Sequence, residues 1–143
     1  MEEASIFELI RTAEQLNNET MIYFMNNFTE NVGISHILVL QQIRENGPQM
    51  QSHLAKKLGY TPGAMTGIAD KLTKEGYAKR EYDTTDRRII LLALTNKGEE
   101  LLQEAQKQGQ KMREDLYSVL TEEETWQMLS IQRKLLNQVM EIK

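Results

Sequence analysis

Lysine and arginine crowd the middle of this sequence. Lys56, Lys57, Lys71, Lys74, Lys79, Arg80, Arg87, Arg88 and Lys97 stand against Asp70, Glu75, Glu81, Asp83 and Asp86. The stretch from Ser52 to Lys97 therefore carries a net +4 within a chain of formal charge −4. The remaining residues, eight basic and sixteen acidic, carry −8. A basic middle between acidic ends suits a polyanionic partner, because affinity for a polyanion follows the local field and not the total charge. A merely solvated basic face has the same composition, so charge alone leaves both readings open.

Other chemistries lack their residues. The chain has no cysteine, which excludes disulfides, thiol nucleophiles and thiolate metal sites. His36 and His53 are the two histidines, on different predicted helices and without paired-ligand spacing, so no metal is expected. His53 falls beside a basic helix, near phosphate or water. The run Glu122-Glu123-Glu124 reads as helix capping and dipole chemistry. With no Gly-rich phosphate loop and no nucleophile elbow, neither an enzyme nor a cofactor is expected. No apolar run approaches the ~18 residues of a membrane span. The start Met1-Glu2-Glu3 lacks the basic and apolar regions of a signal peptide, so the cytoplasm is the expected location.

The elements that would position the basic middle follow from periodicity. Ser5 to Asn27 places Leu9, Ala13, Leu16, Thr20, Tyr23 and Phe24 on one helical face. Ile34 to Glu45 repeats the spacing with Ile34, Ile37, Leu38, Gln41 and Ile43, and Asn46-Gly47-Pro48 turns the chain. Met50 to Leu58 sets Leu54, Ala55 and Leu58 opposite Lys56 and Lys57. Gly59 stands at a helix C-terminus. Thr61-Pro62 is an N-cap followed by proline at the first helical position. The helix it opens runs to about Glu75, with Met65, Ile68 and Leu72 inward, and Gly76 ends it. Two helices joined across Leu58-Gly59-Tyr60-Thr61 have helix-turn-helix spacing.

The period then changes from about 3.6 to 2. Ala78 to Asp83 alternates, Arg88 to Leu94 is β-branched and leucine-rich, and a charged turn lies between them. This predicts a β-hairpin, a wing on the helix-turn-helix. Thr95 or Asn96 caps a helix with Leu101, Ala105, Gln108, Met112, Leu116 and Val119 along it. A capping box at Thr121 opens the last helix, with Leu129, Leu136, Val139 and Met140 inward. The predicted fold is mainly α with a small β-hairpin wing: about six helices, with residues 33–98 as the winged helix-turn-helix lobe. Residues 1–32 and 99–143 form a helical dimerisation region, because the apolar stripes at the chain ends need a second copy to cover them.

Several runs, in order, carry a resemblance. They are Leu54-Ala55-Lys56-Lys57-Leu58, Thr61-Pro62-Gly63-Ala64-Met65-Thr66, Lys71-Leu72-Thr73-Lys74-Glu75-Gly76-Tyr77, Asp83-Thr84-Thr85-Asp86-Arg87-Arg88 and Leu94-Thr95-Asn96-Lys97-Gly98. The most specific parts are Asp86-x-Arg88 ahead of a strand and Leu94-Thr95-x-x-Gly98. The chain resembles the MarR type of bacterial winged helix-turn-helix regulators, strongest from Gln51 to Gly98. The resemblance implies a homodimeric transcriptional regulator, a repressor, on a pseudo-palindromic double-stranded DNA operator. It places Arg88 in the minor groove, oriented by Asp86 through a bidentate pair, with Arg87 on backbone phosphate.

In a helix-turn-helix the second helix enters the major groove by its N-terminal part. Thr61, Pro62, Gly63, Ala64, Thr66 and Lys71 are the expected contacts there, with Met65 in the core. Ser52 and Lys56 would hold phosphates and fix register. The family also implies a small aromatic effector, with Tyr23, His36 and Met112 as candidate lining. One departure is Gly67, where many members carry a basic or polar residue. A winged helix that binds protein instead of DNA is the alternative.

Overall fold

The computed structural model describes residues 3–28 and 30–143. Among them the chain forms α1 (Glu3–Asn27), α2 (Ile34–Asn46), α3 (Gln51–Leu58), α4 (Pro62–Lys74), β1 (Ala78–Tyr82), β2 (Ile90–Leu94), α5 (Asn96–Tyr117) and α6 (Glu122–Ile142). Two compact units divide at Gln108, the second being Gly109–Lys143.

In the first unit α2 is the central helix, in contact with α3, α4 and β2. That explains a departure from the expected pattern. A single inward face puts Leu38 in the core. Instead Leu38 is exposed, and Val39 and Leu40 are fully buried with Ile37 and Ile43. A helix covered on several sides buries more than one stripe. Leu54 and Ala55 of α3, and Met65, Ile68 and Leu72 of α4, are buried as expected, and Ala69, Leu92, Leu101 and Leu102 complete the core.

The α3–α4 turn works through Gly59, whose φ of 75° is left-handed and whose N–H caps α3 on Ala55 O. Thr61 then caps α4, its hydroxyl accepting from the Ala64 N–H at 3.1 Å, with Pro62 at the first position.

β1 and β2 pair antiparallel, Ala78 opposite Leu94 and Tyr82 opposite Ile90. Gln49 adds a bridge on the far side of β2, exchanging two backbone bonds with Leu92. The hairpin is shorter than expected. Arg88 lies in the turn and β2 starts at Ile90. The cause is local: the Asp83 carboxylate accepts from the Thr85 and Asp86 N–H groups, and Ile89 N–H bonds Asp86 O, which folds the tip before pairing begins.

The capping box at Thr121 and Glu124 forms as expected. Two stripes behave differently. On α1, Phe24 is buried but Leu9, Leu16 and Tyr23 are exposed. On α6 no residue is buried, and Leu136, Val139 and Met140, expected inward, face solvent. Nothing among the described residues covers them. Val119 lies past the end of α5 and is exposed. None of the described helices is long and apolar enough to cross a membrane.

Candidate nucleic-acid interface

The exposed side of α4 carries Gly63, Thr66, Gly67 and Asp70, opposite the buried Met65, Ile68, Ala69 and Leu72. An added Cβ at Gly63 or Gly67 would meet nothing within 4 Å, so this side is bare. In the first turn Pro62 has no N–H, and the Ala64 and Met65 N–H groups are taken by the Thr61 hydroxyl and carbonyl. Gly63 is the first-turn donor that Thr61 does not occupy.

Ser52, Lys56, Pro62 and Thr66 come together. They line one groove of about 570 Å³ between α3, α4 and the hairpin, along with Tyr60 and Arg80. Two expected contacts are placed differently. The Thr66 hydroxyl is engaged within the chain, donating to Pro62 O at 2.9 Å and accepting from Gln51 Nε2 at 3.3 Å. Lys71 is half-buried, off the bare side, and its charge acts on His36.

The hairpin tip has the expected pair. Arg88 donates from Nε to Asp86 Oδ1 at 3.1 Å and from Nη2 to Asp86 Oδ2 at 3.0 Å, while its own N–H bonds Oδ1 at 3.0 Å. These bonds hold the Asp86 carboxyl below its ordinary range. Bonds from Thr85 and Asp86 do the same for Asp83. The Arg88 side chain is 91% exposed, so the fork is fixed at one edge and open to solvent elsewhere. Arg87 beside it is exposed.

Sequence reasoning missed Arg80. From β1 its Nη2 reaches Asp70 Oδ1 at 2.8 Å and Gln51 Oε1 at 3.4 Å, and its Nη1 reaches Thr73 Oγ1 at 3.2 Å. The available signal was an arginine on a strand that follows directly on α4, with an acid on the bare side of that helix.

Of the three candidate effector residues, Tyr23 is exposed on α1 and His36 is half-buried at the start of α2. Met112, half-buried on α5, belongs to the second unit. His36 Nδ1 is buried without a hydrogen-bond partner. Burial first, and Lys71 next, lower its pKa against the opposing pull of Glu75. Among the described residues no group of three or more potential ligands could hold a metal ion.

A short helix pair with a bare second helix, followed by a two-stranded hairpin with a charged tip, is a winged helix-turn-helix. The model of the MarR family matches residues 34–90. The chain is 32% identical over 101 residues to the HTH-type transcriptional repressor MdtR of Bacillus subtilis (strain 168), covering 71% of this chain and 65% of that one. It is 35% identical over 102 residues to the transcriptional repressor MprA of Escherichia coli (strain K12), covering 71% and 58%. The chain thus spans less than two thirds of the length of either relative. A solved structure of a MarR mutant from E. coli, complexed with operator DNA, superposes with a TM-score of 0.77 at 24% identity, over 92% of this chain and 96% of that one. Residues 34–90, which hold α2, α3, α4 and β1, thus resemble the MarR family.

Proposed function

We propose that the chain is a sequence-specific double-stranded-DNA-binding transcriptional regulator, a repressor, acting as a homodimer on a pseudo-palindromic operator in the cytoplasm. The observation that carries this reading is the open, Asp86-oriented guanidinium of Arg88 at a hairpin tip following the bare helix α4. The relatives named as repressors and the neighbour solved with operator DNA support it.

In this reading α4 enters the major groove by its N-terminal turn, where Thr61, Pro62, Gly63 and Ala64 bring backbone close to phosphate and base edges. Ser52 and Lys56 hold phosphates. Arg88 occupies the minor groove, and Arg87 meets phosphate. Residues 1–32 and 99–143 of two protomers form the dimer. A small aromatic effector near Tyr23 and His36 of the first unit releases the operator by favouring a conformation that binds DNA less well.

The test is fluorescence anisotropy with the chain's own upstream DNA across 50 to 200 mM salt. The expected result is competitor-resistant binding that falls steeply with salt, by a slope of about −0.9 per phosphate contact. Arg88→Ala is expected to weaken it at least about tenfold with the fold intact, the scale of a lost guanidinium contact. Unchanged affinity would remove the minor-groove assignment. Salt-insensitive binding to protein and none to DNA would make the chain a winged-helix interaction module, a use that the bare side of α4 also permits.

A further inference from the structure

We propose that Arg80 is a positioning residue for DNA binding: it neutralises Asp70 on the bare side of α4 and ties that helix to the first strand of the wing. The inference rests on the DNA-binding reading above.

Asp70 stands one helical turn beyond Thr66, on the side made by Gly63, Thr66 and Gly67. Its side chain is 63% exposed. It is the one acid of α4, on the face that would approach phosphates. A carboxylate there opposes binding, because like charges brought together across an interface repel strongly. Arg80 answers that charge at 2.8 Å. Its bond to Thr73 adds a second hold on α4, and its bond to Gln51 reaches the start of α3. Gln51 in turn donates to the Thr66 hydroxyl, which closes a chain of polar contacts from β1 across α3 to the middle of α4. The Arg80 guanidinium is thereby matched inside the protein and is not a free phosphate ligand. An exposed pair of this kind contributes little to folding stability, so its role in binding separates from any role in the fold.

The experiment measures affinity, salt slope and thermal midpoint of the full chain and its variants on the duplex selected from random DNA by the unaltered protein. Arg80→Ala leaves Asp70 unmatched and is expected to weaken binding on the order of tenfold. Asp70→Ala is expected to bind as tightly as the unaltered chain or more tightly. The double variant recovers most of the lost affinity, since the charge of Asp70 is gone and only the weaker holds on Thr73 and Gln51 are missing. Arg80→Lys keeps the charge and most of the affinity. All four keep the unaltered thermal midpoint within a few degrees. Should Arg80→Ala fail to fold, Arg80→Gln takes its place in the cycle.

A double variant as weak as Arg80→Ala, with a salt slope reduced by about 0.9, would make Arg80 a phosphate ligand and overturn the proposal. Arg80→Ala binding like the unaltered chain overturns it as well. If the unaltered protein itself selects no duplex, the DNA reading fails and this inference with it, before any variant is made.

Discussion

Arg80 and Arg88 are the same side chain in opposite roles, and their partners decide which. Arg88 is gripped along one edge by a carboxylate two positions away, inside one turn, and the rest of its surface is open. Arg80, though exposed, has its guanidinium engaged by groups from α3 and α4. The first pair was legible in the sequence because its members sit within one short motif. The second was not: Asp70 and Arg80 are ten positions apart, and only the left-handed turn at Gly76 after α4 and the start of β1 at Ala78 bring them together. His36 is a further case of chemistry hidden from sequence, since burial and Lys71 set its behaviour. Its pKa in the folded chain lies below the ordinary 6.5, so from about that pH downward the unfolded chain binds more protons than the folded one. Stability is therefore expected to fall as pH drops from about 6.5 through the folded value. His36→Gln, which does not titrate, is expected to remove that part of the slope in urea midpoints measured between pH 7 and 5. Parallel curves for the two proteins would sink the assignment.

At the scale of elements, caps and turns were the most readable features, because each is a local contract between a few neighbours. Thr61-Pro62, Gly59 and Thr121 with Glu124 all act where the sequence placed them. The run Leu94-Thr95-x-x-Gly98 was recognisable as a pattern, and the structure supplies its reason. A Cβ at Gly98 would stand 2.7 Å from Leu94 Cδ1 and overlap the Tyr77 carbonyl oxygen, so α5 starts closer to the preceding chain than any side chain permits. Gly98→Ala is expected to destabilise the chain by about 1–3 kcal/mol through overpacking, although alanine is the better helix former. Chemical denaturation decides this, and an unchanged or raised midpoint would show that the helix can shift at no cost. The inward face of α2 was misjudged for a different reason. Periodicity describes one stripe, and a central helix touched by α3, α4 and β2 has more than one.

For the whole molecule, the winged lobe was legible from spacing, whereas what covers the long terminal helices was not, since no residue of α6 is buried by its own chain. Trp126, Ile131 and Leu136 on α6, like Phe7 and Ile10 on α1, remain in solvent at 48% exposure or more. Apolar surface on this scale marks an interaction site. If the site is a second copy, sedimentation at micromolar concentration is expected to give twice the 16.6 kDa of one chain. Leu136→Glu, at a position already 60% exposed, would shift it toward monomer with the winged lobe still folded. A single-chain mass for the unaltered protein would end the dimer proposal. The junction before α5 bears on how such an assembly handles its wings. The Thr95 hydroxyl donates to Gly76 O at 2.6 Å, accepts from Gly98 N–H at 3.1 Å, and sits at the root of β2. It is the fulcrum of a lever whose long arm is the hairpin. Five extended residues reach roughly 17 Å, so each degree of tilt about Thr95 sweeps the wing tip by about 0.3 Å. On the proposed DNA reading, a helix that turned slightly at its foot would move Arg88 against the minor groove by such a distance.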